Sequence, residues 1–258
     1  MKYGFAEDLW RGEVEGEVVI MEIPDEIRAY VLSEVGGTYS DHRVGVSELG
    51  SCIRKAWYKR RFPKMPDFES ALRMFIGRLF HLYIEKDYEN TEVSVTYDTG
   101  KGIIAGKIDA IVGDTAIDFK SKRDLKRISQ YGPLTRDVNQ VKFYAYMADL
   151  KRAKLLYYKI SPPVKYEGSV DEFILSLKRG IVMEVLNSTH ISFDVKMHDL
   201  TDVVRNYVTR AKILFEALED ERPPSFEDFE GFEIERPPEW ECRFCEFRQI
   251  CEYADRKR

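Results

Sequence analysis

Apolar residues recur every three to four positions in two long stretches. Between Glu69 and Tyr88, Leu72, Phe75, Ile76 and Leu79 share one face. From His198 to Glu219, Val203, Tyr207, Ala211, Leu214 and Leu218 do the same. Both patterns predict amphipathic helices. A helix is also expected over Asp25–Val35, stopped by Gly36-Gly37, and another from about Gln140 to Leu150. A further helix, capped by Ser47, carries Cys52 to Arg61 and ends at Phe62-Pro63. Strand patterns fall near Glu13–Ile20, Glu92–Asp98, Ile103–Val112, Thr115–Ser121 and Lys154–Ile160, with Gly113-Asp114 as the turn of a hairpin. Lys122–Val138, holding Gly132-Pro133, reads as a mobile stretch. Ser161-Pro162-Pro163 breaks the chain, and residues 164–197 read as β-prone. The α–β-ribbon–α–β order of the central region predicts an α/β fold, with no internal repeat. At 258 residues the chain needs only one core, so residues 1–258 are expected to form a single domain.

The hairpin carries the most chemistry. Asp118 and Lys120 are two apart and leave the same face of their strand, and Asp109 comes alongside from the strand before. Two carboxylates and an ammonium form a set that can seat a divalent cation and activate water against a phosphodiester. An exposed ion pair is the bland alternative for Asp118 and Lys120. On the upstream helix, His81 and Glu85 share a face at i, i+4, so one or both can add a ligand; an isolated helix histidine is otherwise structural. Gln140 and Tyr144 also share a face and project an amide and a phenol, suited to a phosphate or a base edge, unless Tyr144 merely packs on the sheet.

Four cysteines complete the inventory. Cys242, Cys245 and Cys251 form Cys-x2-Cys-x5-Cys, and 189 residues lie between Cys52 and Cys242. Zinc, an iron–sulfur cluster or disulfides remain open, although a zinc finger usually takes its ligands in two local pairs. No apolar leader follows Met1 and no stretch approaches a membrane span, so a cytoplasmic protein with reduced thiols is expected. Charged residues make up 33% of the chain, with only three glutamines and four asparagines, a thermophile trend.

Net charge is −5, an unpromising value for a DNA-binding protein. Its distribution changes the picture: Glu216–Glu241 holds eleven acidic residues against Arg222 and Arg236, or −9, which leaves +4 for the rest. Two basic runs stand out. Arg54, Lys55, Lys59, Arg60 and Arg61 interleave with Trp57 and Tyr58, and Lys122 and Arg123 follow Lys120. Both suit phosphate pairing and base stacking, although Trp57 equally fits a core position.

Taken in order, Gly106-x-x-Asp109, Asp118-x-Lys120 and Gln140-x3-Tyr144, preceded by a helix histidine and bracketed by one early and three late cysteines, resemble the RecB-type branch of the PD-(D/E)xK nucleases. Within it the pattern is similar to the compact iron–sulfur exonucleases associated with CRISPR loci, the fourth Cas family, from about Val46 to Tyr253. The resemblance implies a restriction-endonuclease-like core with a mixed β-sheet flanked by helices. It places the catalytic core at 65–160 and a cluster subdomain formed by 46–63 with 240–253. It implies that His81, Asp109, Asp118 and the Phe119 backbone carbonyl bind Mg²⁺ or Mn²⁺. Lys120 would orient or activate water, Gln140 and Tyr144 would belong to the substrate-side motif, and Cys52, Cys242, Cys245 and Cys251 would hold a structural [4Fe–4S] cluster. The expected activity is hydrolysis of DNA at single-stranded ends or overhangs, trimming fragments for integration into a CRISPR array in contact with the integrase complex. Rival readings are a stand-alone repair or replication nuclease of the same superfamily and a non-catalytic DNA-end-binding subunit.

Overall fold

The computed structural model describes residues 13–14, 17–18, 23–35, 39–166, 168–187, 190–225 and 239–252. In chain order the elements are β1 (Glu13–Val14), β2 (Glu17–Val18), α1 (Asp25–Glu34), β3 (Arg43–Gly45), α2 (Val46–Leu49), α3 (Ile53–Arg61), α4 (Phe68–Ile84), a 3₁₀ turn (Glu85–Asp87), β4 (Asn90–Asp98), β5 (Ile103–Val112), β6 (Thr115–Lys122), α5 (Lys126–Tyr131), α6 (Thr135–Met147), β7 (Arg152–Lys159), α7 (Val170–Asn187), β8 (His190–Val195), α8 (Leu200–Glu219) and α9 (Glu239–Arg243).

Six strands form one mixed sheet in the order β3-β5-β6-β7-β8, with β4 also paired to β5. β5 is antiparallel to β4 and β6 but parallel to β3; β6 and β7 are parallel, and β7 and β8 antiparallel. The architecture is therefore the expected mixed sheet flanked by helices. One core joins α2, α3, α6 and α8 to the sheet through residues such as Leu49, Trp57, Phe143, Tyr207 and Phe215. The other joins α1, α4 and α7 through Val31, Phe75, Phe80, Phe119 and Phe173. Each fully buried large apolar side chain contributes roughly 1.5–3 kcal/mol. Asp67 caps α4 by accepting from Ser70 N–H at 2.8 Å.

The hairpin strands match their expected bounds to within a residue, and α8 buries the five residues of the predicted stripe. Elsewhere the structure corrects the pattern reading. Residues 164–197 are not β-prone throughout: α7 occupies 170–187 and buries Phe173, Leu177 and Ile181, a stripe at i, i+4, i+8. The stretch Lys122–Val138 holds α5 and the start of α6, which begins five residues before Gln140. Ser47 lies inside the short α2; the N-cap position of α3 is Cys52 itself. In the Glu13–Ile20 segment, β1 and β2 are separate short strands paired antiparallel. The Gly36-Gly37 stop and residues 226–238 of the acidic run lie outside the described residues. No helix among the described residues is long and apolar enough to cross a membrane.

Candidate active site

The sheet leaves a gap where the site forms. β4 takes one edge of β5 from Ile103 to Ile111. On the other edge β3 pairs with Ile103–Ala105 and β6 with Ala110–Val112. Among the described residues, no strand pairs with the intervening Gly106–Asp109 on that edge, and side chains approach it there.

Tyr144, from α6, fills the Gly106 end. A Cβ on Gly106 would lie 2.3 Å from Tyr144 Cε1, so only glycine admits the ring. Asp109 fills the other end. Its Oδ2 accepts the Phe119 N–H at 2.7 Å, replacing the ladder bond that β5 would otherwise supply. A strand residue's N–H and C=O leave the same edge, so the Phe119 carbonyl also faces this gap.

Around Asp109, ligand-type atoms of His81, Glu85 and Asp109 all lie within 4.8 Å of one another. His81 Nδ1 is 3.0 Å from Glu85 Oε1 and 3.6 Å from Asp109 Oδ1. One nitrogen and two carboxylates are a donor set that suits a divalent cation such as Mn²⁺ or Mg²⁺. Burial, reinforced by the charge of Asp118, pushes the Asp109 carboxyl up to about 8. Burial likewise raises Glu85. Carboxylates this reluctant to ionise in metal-free protein are relieved by a bound cation.

Asp118, on the neighbouring β6, is not among those three, but its charge reaches Asp109. Glu85, which the sequence offered with His81 as a candidate further ligand, completes that trio. Asp118 is 1% exposed and meets Lys120 Nζ at 2.8 Å through Oδ2. That contact lacks hydrogen-bond alignment, so Oδ2 is a buried oxygen with an unmet bonding direction. Burial opposes the charge on Lys120, but Asp118 and Asp137 outweigh it and hold the ammonium above its ordinary pKa. Burial is the main cause raising Asp118, with Lys120 pulling against it.

Gln140 and Tyr144 do project together, but toward the lysine. Gln140 Oε1 lies 3.3 Å from Lys120 Nζ, and Gln140 Nε2 donates to Tyr144 Oη at 3.1 Å. Their visible partners are the site's own residues. Asp137, which the sequence reading missed, is 4% exposed and accepts from Tyr157 Oη at 2.9 Å, tying the first turn of α6 to β7. Its position one turn before Gln140 was the available signal.

The first basic run is largely committed to the fold, which removes most of the expected DNA strip. Arg54 is 1% exposed and contacts the Pro224 carbonyl, Tyr58 and Glu252. Arg60 is held by Glu48 and the carbonyls of Ser40, Arg43 and Ala56; Arg61 by Asp41 and the Leu218 carbonyl. Lys55 and Lys59 sit 3.5 and 3.9 Å from Glu246. Trp57 is buried, and its indole donates to the Ala217 carbonyl at 3.0 Å. Lys122 extends over the Tyr157 ring, while Arg123 is exposed.

Cys52, Cys242, Cys245 and Cys251 line one cavity with Arg54, Lys55 and Phe247, and all four thiols are free. Glu241 accepts the Cys52 N–H at 3.1 Å, and Phe247 stacks on Tyr58 at 5.5 Å, so the early and late segments meet as the bracket implied. No three of these sulfurs come within 4.8 Å of one another. A single zinc with bonds of about 2.3 Å would draw four sulfurs closer than that. Burial pushes the Cys52 thiol up to about 11 and raises Cys242 and Cys245, as expected of buried thiols without a metal.

The family model of the PD-(D/E)XK nuclease superfamily matches residues 37–252. The chain belongs to this superfamily. Asp118-Phe119-Lys120 supplies the (D/E)XK of its name, and Ile108 stands where the name has proline before Asp109. The crystal structure of SSO0001 superposes with a TM-score of 0.55 at 18% identity, covering 91% of this chain and 98% of that one, a likeness of fold. A phage-related exonuclease from Haemophilus somnus 129PT superposes with a TM-score of 0.40 at 17% identity, over 69% of this chain and 96% of that one. No curated protein matches the sequence at a significant level.

Proposed function

We propose that this protein is a metal-dependent DNA exonuclease acting on single-stranded ends or overhangs. The observation that carries the reading is the cluster of His81, Glu85 and Asp109 within 4.8 Å, with the buried Asp118–Lys120 pair on the adjoining strand acting electrostatically on Asp109. A cation-binding donor set beside a buried ammonium fits hydrolysis of a phosphodiester better than it fits simple end binding, which needs no such pairing. His81, Glu85 and Asp109 would hold the metal, with Asp118 and the Phe119 carbonyl as further oxygen ligands. When bound, Mg²⁺ or Mn²⁺ polarises the scissile phosphate and lowers the pKa of a coordinated water. Lys120 would orient or activate the attacking water and stabilise charge growing on the phosphoryl oxygens. Gln140 and Tyr144 fix that ammonium. Water attacks phosphorus, the P–O bond to the leaving oxygen breaks, and a proton reaches that oxygen.

The four cysteines would hold a [4Fe–4S] cluster joining α3 to the C-terminal segment. The cavity shared by all four thiols and the bracket of one early and three late cysteines support this reading. Cluster binding there acts as folding energy. The role in trimming fragments for CRISPR arrays, in contact with the integrase complex, rests on the motif order and the cysteine bracket. Digestion of end-labelled single and double strands with and without Mn²⁺ tests the activity.

A further inference from the structure

A groove of about 370 Å³ opens between α4 and the segment that follows β7, lined by Leu72, Arg73, Ile76, Arg123, Pro162 and Pro163 among others. It adjoins the site on two elements. Arg123 lies three residues beyond Lys120 at the end of β6. Ile76 and Arg73 precede His81 on α4 by five and eight residues, about 8 and 12 Å along the helix axis. The far wall is fixed, because Pro162 packs on Gly180 so closely that a Cβ there would lie 2.9 Å from it.

The chemistry of the lining is mixed. Ile76 and Pro163 offer apolar faces against which a base can lie, with Leu72 and Pro162 buried in the walls. Arg73 is shared with Glu69 at 3.5 Å and Ser70 at 3.0 Å, so much of its charge is spent. Lys122 sends its ammonium over the Tyr157 ring, 3.9 Å from Asp137. Arg123 is exposed at the groove and is its best-placed cation. The volume sits at the low end of the small-ligand range of about 300–1,000 Å³, enough for about one or two nucleotides of a single strand and too small for a duplex.

We propose that this groove receives the single-stranded DNA segment next to the scissile phosphate, with Arg123 pairing to a backbone phosphate and Ile76 and Pro163 against base faces. The proposal rests on the nuclease reading and adds to it the path of the strand. Arg123 then carries sequence-independent affinity, as phosphate contacts do.

The test is a salt titration of binding to a labelled single-stranded oligonucleotide, without divalent cation. Replacing Arg123 with alanine should lower the slope of log affinity against log salt by about 0.7, the share of one phosphate on a single strand. Arg123→Lys should restore the slope, because a point charge suffices. Lys178→Ala, on the exposed face of α7, should leave it unchanged. An unchanged slope for Arg123→Ala, or an equal drop for Lys178→Ala, would overturn the proposal. So would equal losses on blunt duplex and single strand. Absence of cleavage by the wild type with Mn²⁺ would instead count against the nuclease reading, since the slope is measured without catalysis.

Discussion

The Phe119 N–H donates to the Asp109 carboxylate at 2.7 Å, at the point where the β5–β6 ladder has ended. A side chain has taken over a backbone bond, which holds Asp109 in the plane of the sheet. From there it reaches His81 and Glu85, while Asp118 and Lys120 form a buried pair on the neighbouring β6. The chemistry therefore depends on strands that part at a defined residue.

Asp118→Asn keeps the shape of the side chain but removes its charge from Lys120 and from a bound cation. Cleavage should fall at least about 100-fold, the scale for losing one preorganised electrostatic contact. Lys120→Ala should fall similarly while the protein still binds Mn²⁺, which can be followed by the metal's paramagnetic signal. Wild-type rates in both variants would show that the chemistry lies elsewhere.

Gly106→Ala tests the packing that sets the gap. The new methyl meets Tyr144 at 2.3 Å, so the ring or the strand must shift. Overpacking of this kind costs about 1–3 kcal/mol, visible in a urea melt. Tyr144→Ala alone should cost about 3–5 kcal/mol by emptying a buried aromatic site, and adding Gly106→Ala to it should cost little more, because the clashing ring is gone, while cleavage stays low without the ring that supports Gln140. A Gly106→Ala protein as stable and as fast as wild type would refute the tight approach.

Gly106 also shows how far the sequence could be read. The Gly-Lys-Ile-Asp segment, the hairpin turn and Asp118-x-Lys120 are local signals, and the strands appear as expected because alternation and turn chemistry act over a few residues. The α8 stripe was legible for the same reason. Three features were not. The basic run around Trp57 looked like a nucleic-acid strip, yet Arg54, Arg60 and Arg61 bond to carbonyls and acids far away in the chain, and no local pattern announces such partners. The approach of Asp109 to His81 and Glu85 depends on the stretch of β5 left open between β3 and β6, which no local pattern announces. Helix α7 was misread since its stripe, Phe173, Leu177 and Ile181, sits among flanking apolar residues that blur the period.

Metal binding should depend on pH in a specific direction. The folded, metal-free protein holds Asp109 near 8, above the ordinary carboxyl value, so between those values the native state carries a proton that the unfolded chain has lost. Raising pH through that window ionises a buried group and lowers the stability of the metal-free protein. Over the same window Mn²⁺ affinity should rise, since proton and metal compete for one carboxylate, and level off above about 8. Asp109→Asn should flatten both trends. An Mn²⁺ affinity independent of pH in the wild type would exclude Asp109 as a ligand.

The cysteine cavity makes a separate prediction. Protein purified without oxygen should be brown and carry about four irons per chain. Cys52→Ala should lose iron and stability as severely as Cys245→Ala, because either change opens the ring of thiolates. Colourless protein with stoichiometric zinc would replace the cluster and leave the nuclease reading intact.

Trp57→Ala should cost about 3–5 kcal/mol of stability, the scale for an emptied aromatic site. DNA affinity per folded molecule should not change, because the indole is bonded to the Ala217 carbonyl and turned from solvent. A selective loss of affinity would return the first basic run to the DNA-binding surface.

The central claim is metal-dependent hydrolysis at the gap between β5 and β6. Its most direct test is incubation of purified protein with end-labelled single-stranded DNA in Mn²⁺, in Mg²⁺ and in chelator, beside Asp118→Asn and a glutamine at His81. Progressive shortening from an end, abolished by chelator and by Asp118→Asn and strongly slowed at His81, is the predicted result. Intact DNA under every metal condition, or cleavage that survives both substitutions, would contradict it.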